Sequence, residues 1–175
     1  MLDAIFARRS IRRYRSDPVP DGVLKEVLRA GMAAPSSWNG RPWAFVVIDD
    51  PAALEEIARR HGYAAMCREA PVAVLVCGLP EGMKEPDFLP QDLSAATENV
   101  LIAATELGLG SVWVGLFPHE DRMGVLREVC GLPPEVVPFS LVVLGYPAET
   151  KRPHEGWMEG RVFHGRWGRV WRPTG

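Results

Sequence analysis

The stretch 92–107 constrains this chain most. Its Ala, Leu and Ile residues cover most of a helical circumference instead of one stripe. A helix apolar nearly all round must be covered nearly all round, so it is expected to be the central, most buried helix. Four segments rich in branched and aromatic residues read as strands: Trp43–Ile48, 71–77, 111–116 and 139–145. Helical patterns fall between and before them: 3–9 with Asp3 as its cap, a helix capped by Asp21 that runs to Met32, one opened by Pro51 that runs to Gly62, and 119–130 closed by Gly131. The order helix, helix, strand, helix, strand, helix, strand, helix, strand and tail predicts a sheet with helices on both faces.

Composition fits that architecture. The chain has 175 residues, 47% hydrophobic and 24% charged, enough for one domain spanning 1–175 with a full core. The apolar runs are far shorter than the roughly 20 residues of a membrane helix, and the N-terminus has an acid and no long apolar h-region. The expectation is a cytoplasmic protein without a membrane partner. Cys67, Cys77 and Cys130 are odd in number and widely spaced, which argues against a disulfide scaffold or metal cluster. Arg68 beside Cys67 is a feature that lowers thiol pKa values, but without a paired His a structural cysteine is expected. The four histidines lack metal-ligand spacing, so no metal site is expected. A net charge of −2 weighs against nucleic acid as a partner.

Four motifs carry chemistry. Arg8-Arg9-Ser10-Ile11-Arg12 gathers guanidinium groups and a hydroxyl, suited to one phosphate or to a solvated basic patch. Residues 35–43, Pro-Ser-Ser-Trp-Asn-Gly-Arg-Pro-Trp, form a stiff loop with donors and acceptors near the backbone, a ligand loop or a plain connector. Gly108 to Gly115 lacks the Rossmann glycine spacing and follows a helix instead of opening one; it supplies a helix stop and a strand ending in glycine. Glu149-Thr150-Lys151-Arg152 places two cations after the last core strand. The segment 146–175 holds five arginines and three tryptophans, too much aromatic surface to leave in water.

Taken in order, these motifs resemble the nitroreductase family of flavoproteins. The resemblance implies an α+β fold, three α/β/α layers around a mixed central sheet, in a homodimer whose C-terminal segment 146–175 extends over the partner. It implies FMN as cofactor, NADH or NADPH as electron donor, and hydride transfer through the flavin to a small acceptor such as a nitroaromatic or quinone. Arg8, Ser10 and Arg12 match positions that hold the FMN phosphate and ribityl chain, and Arg9 adds a backbone or pyrimidine contact. Pro35, Ser36 and Ser37 match the loop that the other subunit lays against the isoalloxazine, with Asn39 as a polar contact. Val114, Gly115 and Leu116 match a strand end whose backbone amide faces flavin N5. Lys151 and Arg152 match a basic pair that closes on the phosphate. Trp38 and Arg41 depart from the family pattern and are candidate substrate contacts. No catalytic acid or base is required of the protein, because the flavin carries the redox step. Other flavin enzymes on the same fold (a dimethylbenzimidazole-forming flavin destructase, a reductive dehalogenase, an enone reductase) and a non-catalytic flavin-binding module remain as alternatives.

Overall fold

The computed structural model describes residues 2–154 and 156–172. Five α-helices and four strands follow one another as α1 (Leu2–Ala7), α2 (Asp21–Met32), β1 (Trp43–Ile48), α3 (Pro51–Arg60), β2 (Val72–Gly78), α4 (Leu89–Glu106), β3 (Gly110–Gly115), α5 (Glu120–Cys130) and β4 (Val137–Gly145). The expected α+β fold with helices on both faces is present. Two expected caps are not. Asp21 is the first helical residue of α2, whose N-cap is Pro20 with no side-chain bond, and Asp3 lies inside α1. By contrast Asp50 caps α3, its carboxylate accepting from Ala53 at 3.0 Å, ahead of Pro51 in the first turn.

The sheet order is β1-β2-β4-β3. Every strand pair is antiparallel, where a mixed sheet was expected. The reason lies after α3, where a 3-10 turn at Ala65–Arg68 leads the chain back. It re-enters the sheet where β1 left it, so Ile48 faces Ala73. The parallel contribution is one isolated bridge, Ser10 to Ser111, on the outer edge of β3.

The two faces of the sheet carry separate cores. On one, α2 and α4 pack Val27, Leu93, Val100 and Ala104 against Val74, Val76, Val142 and Leu144, and α1 lies on α4. On the other, α3 and α5 pack Ile57 and Leu126 against Leu75, Val112, Leu141 and Val143. Being covered on both faces, β2 is buried along its whole length. This explains its unbroken apolar run where a half-exposed strand would alternate.

One close approach fixes the N-terminal segment. The amide of Ile11 donates to the Ser111 carbonyl at 2.9 Å, and the Ile11 side chain lies where a Cβ on Gly110 would sit, 2.7 Å from Ile11 Cγ2. Tyr14 adds a second tie: its buried hydroxyl donates to the Ile11 and Val143 carbonyls at 2.6 and 3.0 Å. Burial raises the phenol pKa, so the hydroxyl remains a donor across the neutral range. Gly110→Ala is therefore expected to cost about 1–3 kcal/mol of stability, the usual range for overpacking. A lower urea midpoint, with faster hydrogen exchange at residues 8–12, would show it; unchanged exchange there would refute this role.

Candidate cofactor and substrate site

β3 is an edge strand, and its outer side is only partly covered. The Ser111 carbonyl faces outward to Ile11, and backbone groups alternate along a strand. The N–H and C=O groups of Trp113 and Gly115 therefore also point outward. Arg122 confirms the direction by donating to the Gly115 carbonyl at 3.4 Å. Arg12, Arg122, Tyr63 and Val112 to Gly115 line a cavity of about 250 Å³ along this edge. The three strand-end residues thus separate. Gly115 offers its amide to the edge, and Val114 faces the core. Leu116 donates its amide to the Phe139 carbonyl at 3.2 Å and is fully buried.

A second cavity, about 200 Å³, adjoins the same segment and is lined by Arg9, Thr105, Gly110, Glu149, Thr150 and Lys151 among others. The Lys151 ammonium donates to the Ser10 carbonyl at 2.6 Å. The Nε of Arg9 is buried with no acceptor, a costly arrangement unless a ligand supplies one. Arg12 forms no ion pair among the described residues, and Arg152 is exposed. Arg8 is already partnered, its Nε 3.1 Å from Glu98 on α4. Of the predicted residues, Arg9, Ser10 and Lys151 thus meet at one corner of the sheet, Arg12 lines the adjoining cavity, Arg8 is held on α4 by Glu98, and Arg152 follows Lys151 in the exposed exit loop.

Sequence reasoning used the cations of the 149–152 motif and passed over its acid. Glu149 accepts the Arg12 amide at 2.6 Å and lies 3.4 Å from Lys151. The Arg12 amide bond, then the Lys151 charge, lower its pKa. Its carboxylate shapes the arginine segment from below. The thiols are a contrast: burial pushes Cys67 up to about 12, and Arg68 pairs with Glu55 at 2.8 Å. The thiol is thus not activated.

The loop after α2 lies elsewhere. Trp38, Asn39 and Arg41 all adopt left-handed backbone angles, with φ of 53°, 55° and 49°. Non-glycine residues there are strained, and such strain collects at functional sites. Several ties hold it. The Ser36 hydroxyl accepts the Arg41 amide at 2.9 Å, Asp92 of α4 accepts the Ser37 amide at 2.9 Å, and the Trp38 indole donates to Glu85 at 3.1 Å. Asp92 is only 5% exposed and its second oxygen has no partner. No sequence signal marked it, since its partner is a backbone amide 55 positions away. Ser37, Trp38, Arg41, Leu79 and residues 81–85 line a cavity of about 310 Å³.

One chain does not bring the two halves together. The loop precedes Trp43, which pairs with Gly78 at one end of β1. Ser10 and Lys151 lie beside Gly110 and Gly145, at the other end of the sheet on its far edge. Three strand spacings, about 14 Å, separate the edges.

A layered α/β/α protein with a cationic corner beside an open strand edge matches known proteins in sequence and fold. The nitroreductase family model matches residues 5–61 and 55–146. A candidate NADH dehydrogenase/NAD(P)H nitroreductase of Methanothermobacter thermautotrophicus is 42% identical, over 95% of this chain and 87% of that protein. A solved structure of a similarly described protein from Bacteroides thetaiotaomicron superposes with a TM-score of 0.90 at 38% identity, covering 95% and 97% of the two chains. A candidate nitroreductase from Desulfovibrio desulfuricans, solved in complex with FMN, gives a TM-score of 0.77 at 35% identity over 87% and 91%. The chain belongs to the nitroreductase family, a family of oxidoreductases. Among the described residues, no helix is long and apolar enough to cross a membrane.

The Glu149 contact has a pH signature. Because its pKa in the fold is lowered, the bond to the Arg12 amide is complete at neutral pH and is lost as pH falls through that lowered value. In an NMR titration the Arg12 amide proton should therefore shift with a midpoint below the ordinary glutamate range of about 4.3. A midpoint at or above that range would refute the contact. Asp92→Ala should release the Ser37 amide and raise its hydrogen exchange by roughly ten- to a hundredfold, as expected for loss of a charged acceptor.

Proposed function

We propose that this protein is an FMN-dependent oxidoreductase that takes a hydride from NADH or NADPH and delivers it to a small organic acceptor such as a nitroaromatic or quinone. The carrying observation is a pair of cavities along the β3 edge, one lined by Lys151 and by Arg9 with its unpartnered Nε, the other by Arg12 beside the outward backbone of Trp113 and Gly115. A flavin phosphate carries about −1.5 to −2 charge, and Arg9 and Lys151 match it. FMN, when bound, supplies the two-electron relay between donor and acceptor.

The chain's own residues bind and orient. Arg9, Lys151 and the Ser10 hydroxyl take the phosphate end, and the exposed Arg152 closes over it. Arg8 is steadied by Glu98 and borders the same site. Along the β3 edge, the Gly115 amide is the donor facing the flavin ring, and Arg12 balances negative charge on that ring. Glu149 keeps the arginine segment in register.

The loop 35–39 reaches this site only from a second copy of the chain, since its own copy sits at the opposite corner. A homodimer is therefore part of the proposal. Two surfaces suit it. Ile5, Ala30, Ala33, Ile102 and Ala103 line an open, largely apolar groove of about 430 Å³ on α1, α2 and α4. Beyond residue 155, Trp157 and Trp167 are 58% and 88% exposed, consistent with the C-terminal segment packing on the partner. The expected site residues Pro35, Ser36, Ser37 and Asn39 then act across the interface.

Purified protein is expected to be yellow and to bleach anaerobically with NADH or NADPH. A flavin that stays oxidised would favour a non-catalytic flavin-binding module. Arg12→Ala should weaken FMN binding roughly ten- to a hundredfold, the loss of one charge-assisted bond. The cross-subunit site has its own test in mixed dimers of Arg12→Ala and Ser37→Tyr, a bulky block in the loop. If the halves come from different chains, each variant alone binds FMN weakly at both sites, and mixed dimers regain one site of full affinity. If one chain builds the whole site, mixing restores nothing.

A further inference from the structure

The cavity between the strained loop and residues 79–85 has unused charge. Several arginines of the chain sit on carboxylates, as Arg13 does on Glu69, Arg29 on Glu26 and Arg59 on Glu56. Arg41 does not. Its Nε donates to the Asn39 side chain at 3.1 Å and its amide to Ser36, which leaves the outer guanidinium nitrogens without an acceptor among the described residues. Lys84, on the facing segment, lies 4.3 Å above the Trp38 ring and ion-pairs with none of the described carboxylates. Of the two acids lining the cavity, Glu85 is engaged by the Trp38 indole; Glu81 stands at the lining without a hydrogen bond among the described residues. Trp38 is 66% exposed.

We propose that this cavity is a subsite for a planar acceptor bearing an anionic group, an aromatic carboxylate, with its ring on the Trp38 indole and its carboxylate on Arg41 and Lys84. The inference rests on the flavin reading above and names the acceptor class for that site. A guanidinium fork matches a carboxylate in bidentate fashion, and an indole offers a stacking face. The left-handed backbone at Arg41, tied by Ser36 and Asn39, holds the guanidinium in place before any ligand arrives. Such preorganisation lowers the entropic cost of binding. Glu81 opposes the anion and limits the affinity.

The test is calorimetric titration of the protein as isolated with 4-nitrobenzoate and its neutral isostere 4-nitrobenzamide. The carboxylate should bind about tenfold tighter, one charge-assisted contact. Arg41→Ala should bring the two within about twofold of each other, and Arg41→Lys should restore part of the preference. Glu81→Gln should strengthen carboxylate binding alone. Equal affinities in the unaltered protein, or a preference that survives Arg41→Ala, would overturn the proposal. Bleaching of bound FMN by NADH is read on the same samples. A flavin that bleaches without an anion preference removes this subsite alone, whereas protein that binds no flavin removes the reading on which it rests.

Discussion

An open sheet edge is a row of unmet hydrogen-bonding groups, which proteins usually cover or blunt. On β3 one end is covered by Ser10 and Ile11, and the rest faces a cavity. This one-sided pairing organises the chemistry of the molecule. It sets which amides point outward, Trp113 and Gly115, and which point into the ladder. It also places the arginine segment, because the edge carbonyl of Ser111 takes the Ile11 amide. Gly110 makes the contact possible by leaving room for Ile11. The cations of the corner are thus positioned by backbone pairing, with Tyr14 as the buried tie behind them.

The loop that forms the other half of the proposed site depends on stored strain. Each left-handed non-glycine residue costs on the order of 1–3 kcal/mol, and this loop has three within four positions. The ties opposing that cost include a bond to a buried carboxylate, a class worth about 1.5–3 kcal/mol. Asp92 lies in the first turn of α4, where the helix dipole favours a negative charge. The loop is therefore held from the same helix whose apolar sides organise the core. Its shape is held by bonds within the fold.

The sheet and its central helix were legible because burial writes itself into composition. The continuous apolar runs became β2 and β4, and the all-round apolar segment became α4 with eight buried residues. Its start moved from 92 to Leu89 because Pro90 is tolerated in a first helical turn. Strand direction was not legible. It depends on how the segment after α3 folds back, which no periodicity records. Of the proposed site, the runs of cations were visible in the sequence, whereas Glu149 and Asp92 act through backbone amides far away in sequence and the outward face of Gly115 depends on strand pairing. Leu116 shows the same limit. Its place at the strand end was visible, but its bond to Phe139 depends on a neighbouring strand.

The geometry also bears on why the proposed partner is a second copy and not some other protein. Loop and cationic corner lie at opposite ends of opposite edges, so a two-fold axis lets each copy's loop meet the other's corner, twice over. Such an isologous contact is self-complementary and closes on itself. The apolar groove on α1, α2 and α4 lies on the helical layer that also carries Asp92 and Glu98, the anchors of the loop and of Arg8. One face would then bury the outer side of α4 and bring both halves of the site into register. This accounts for a helix more apolar than a single small domain needs.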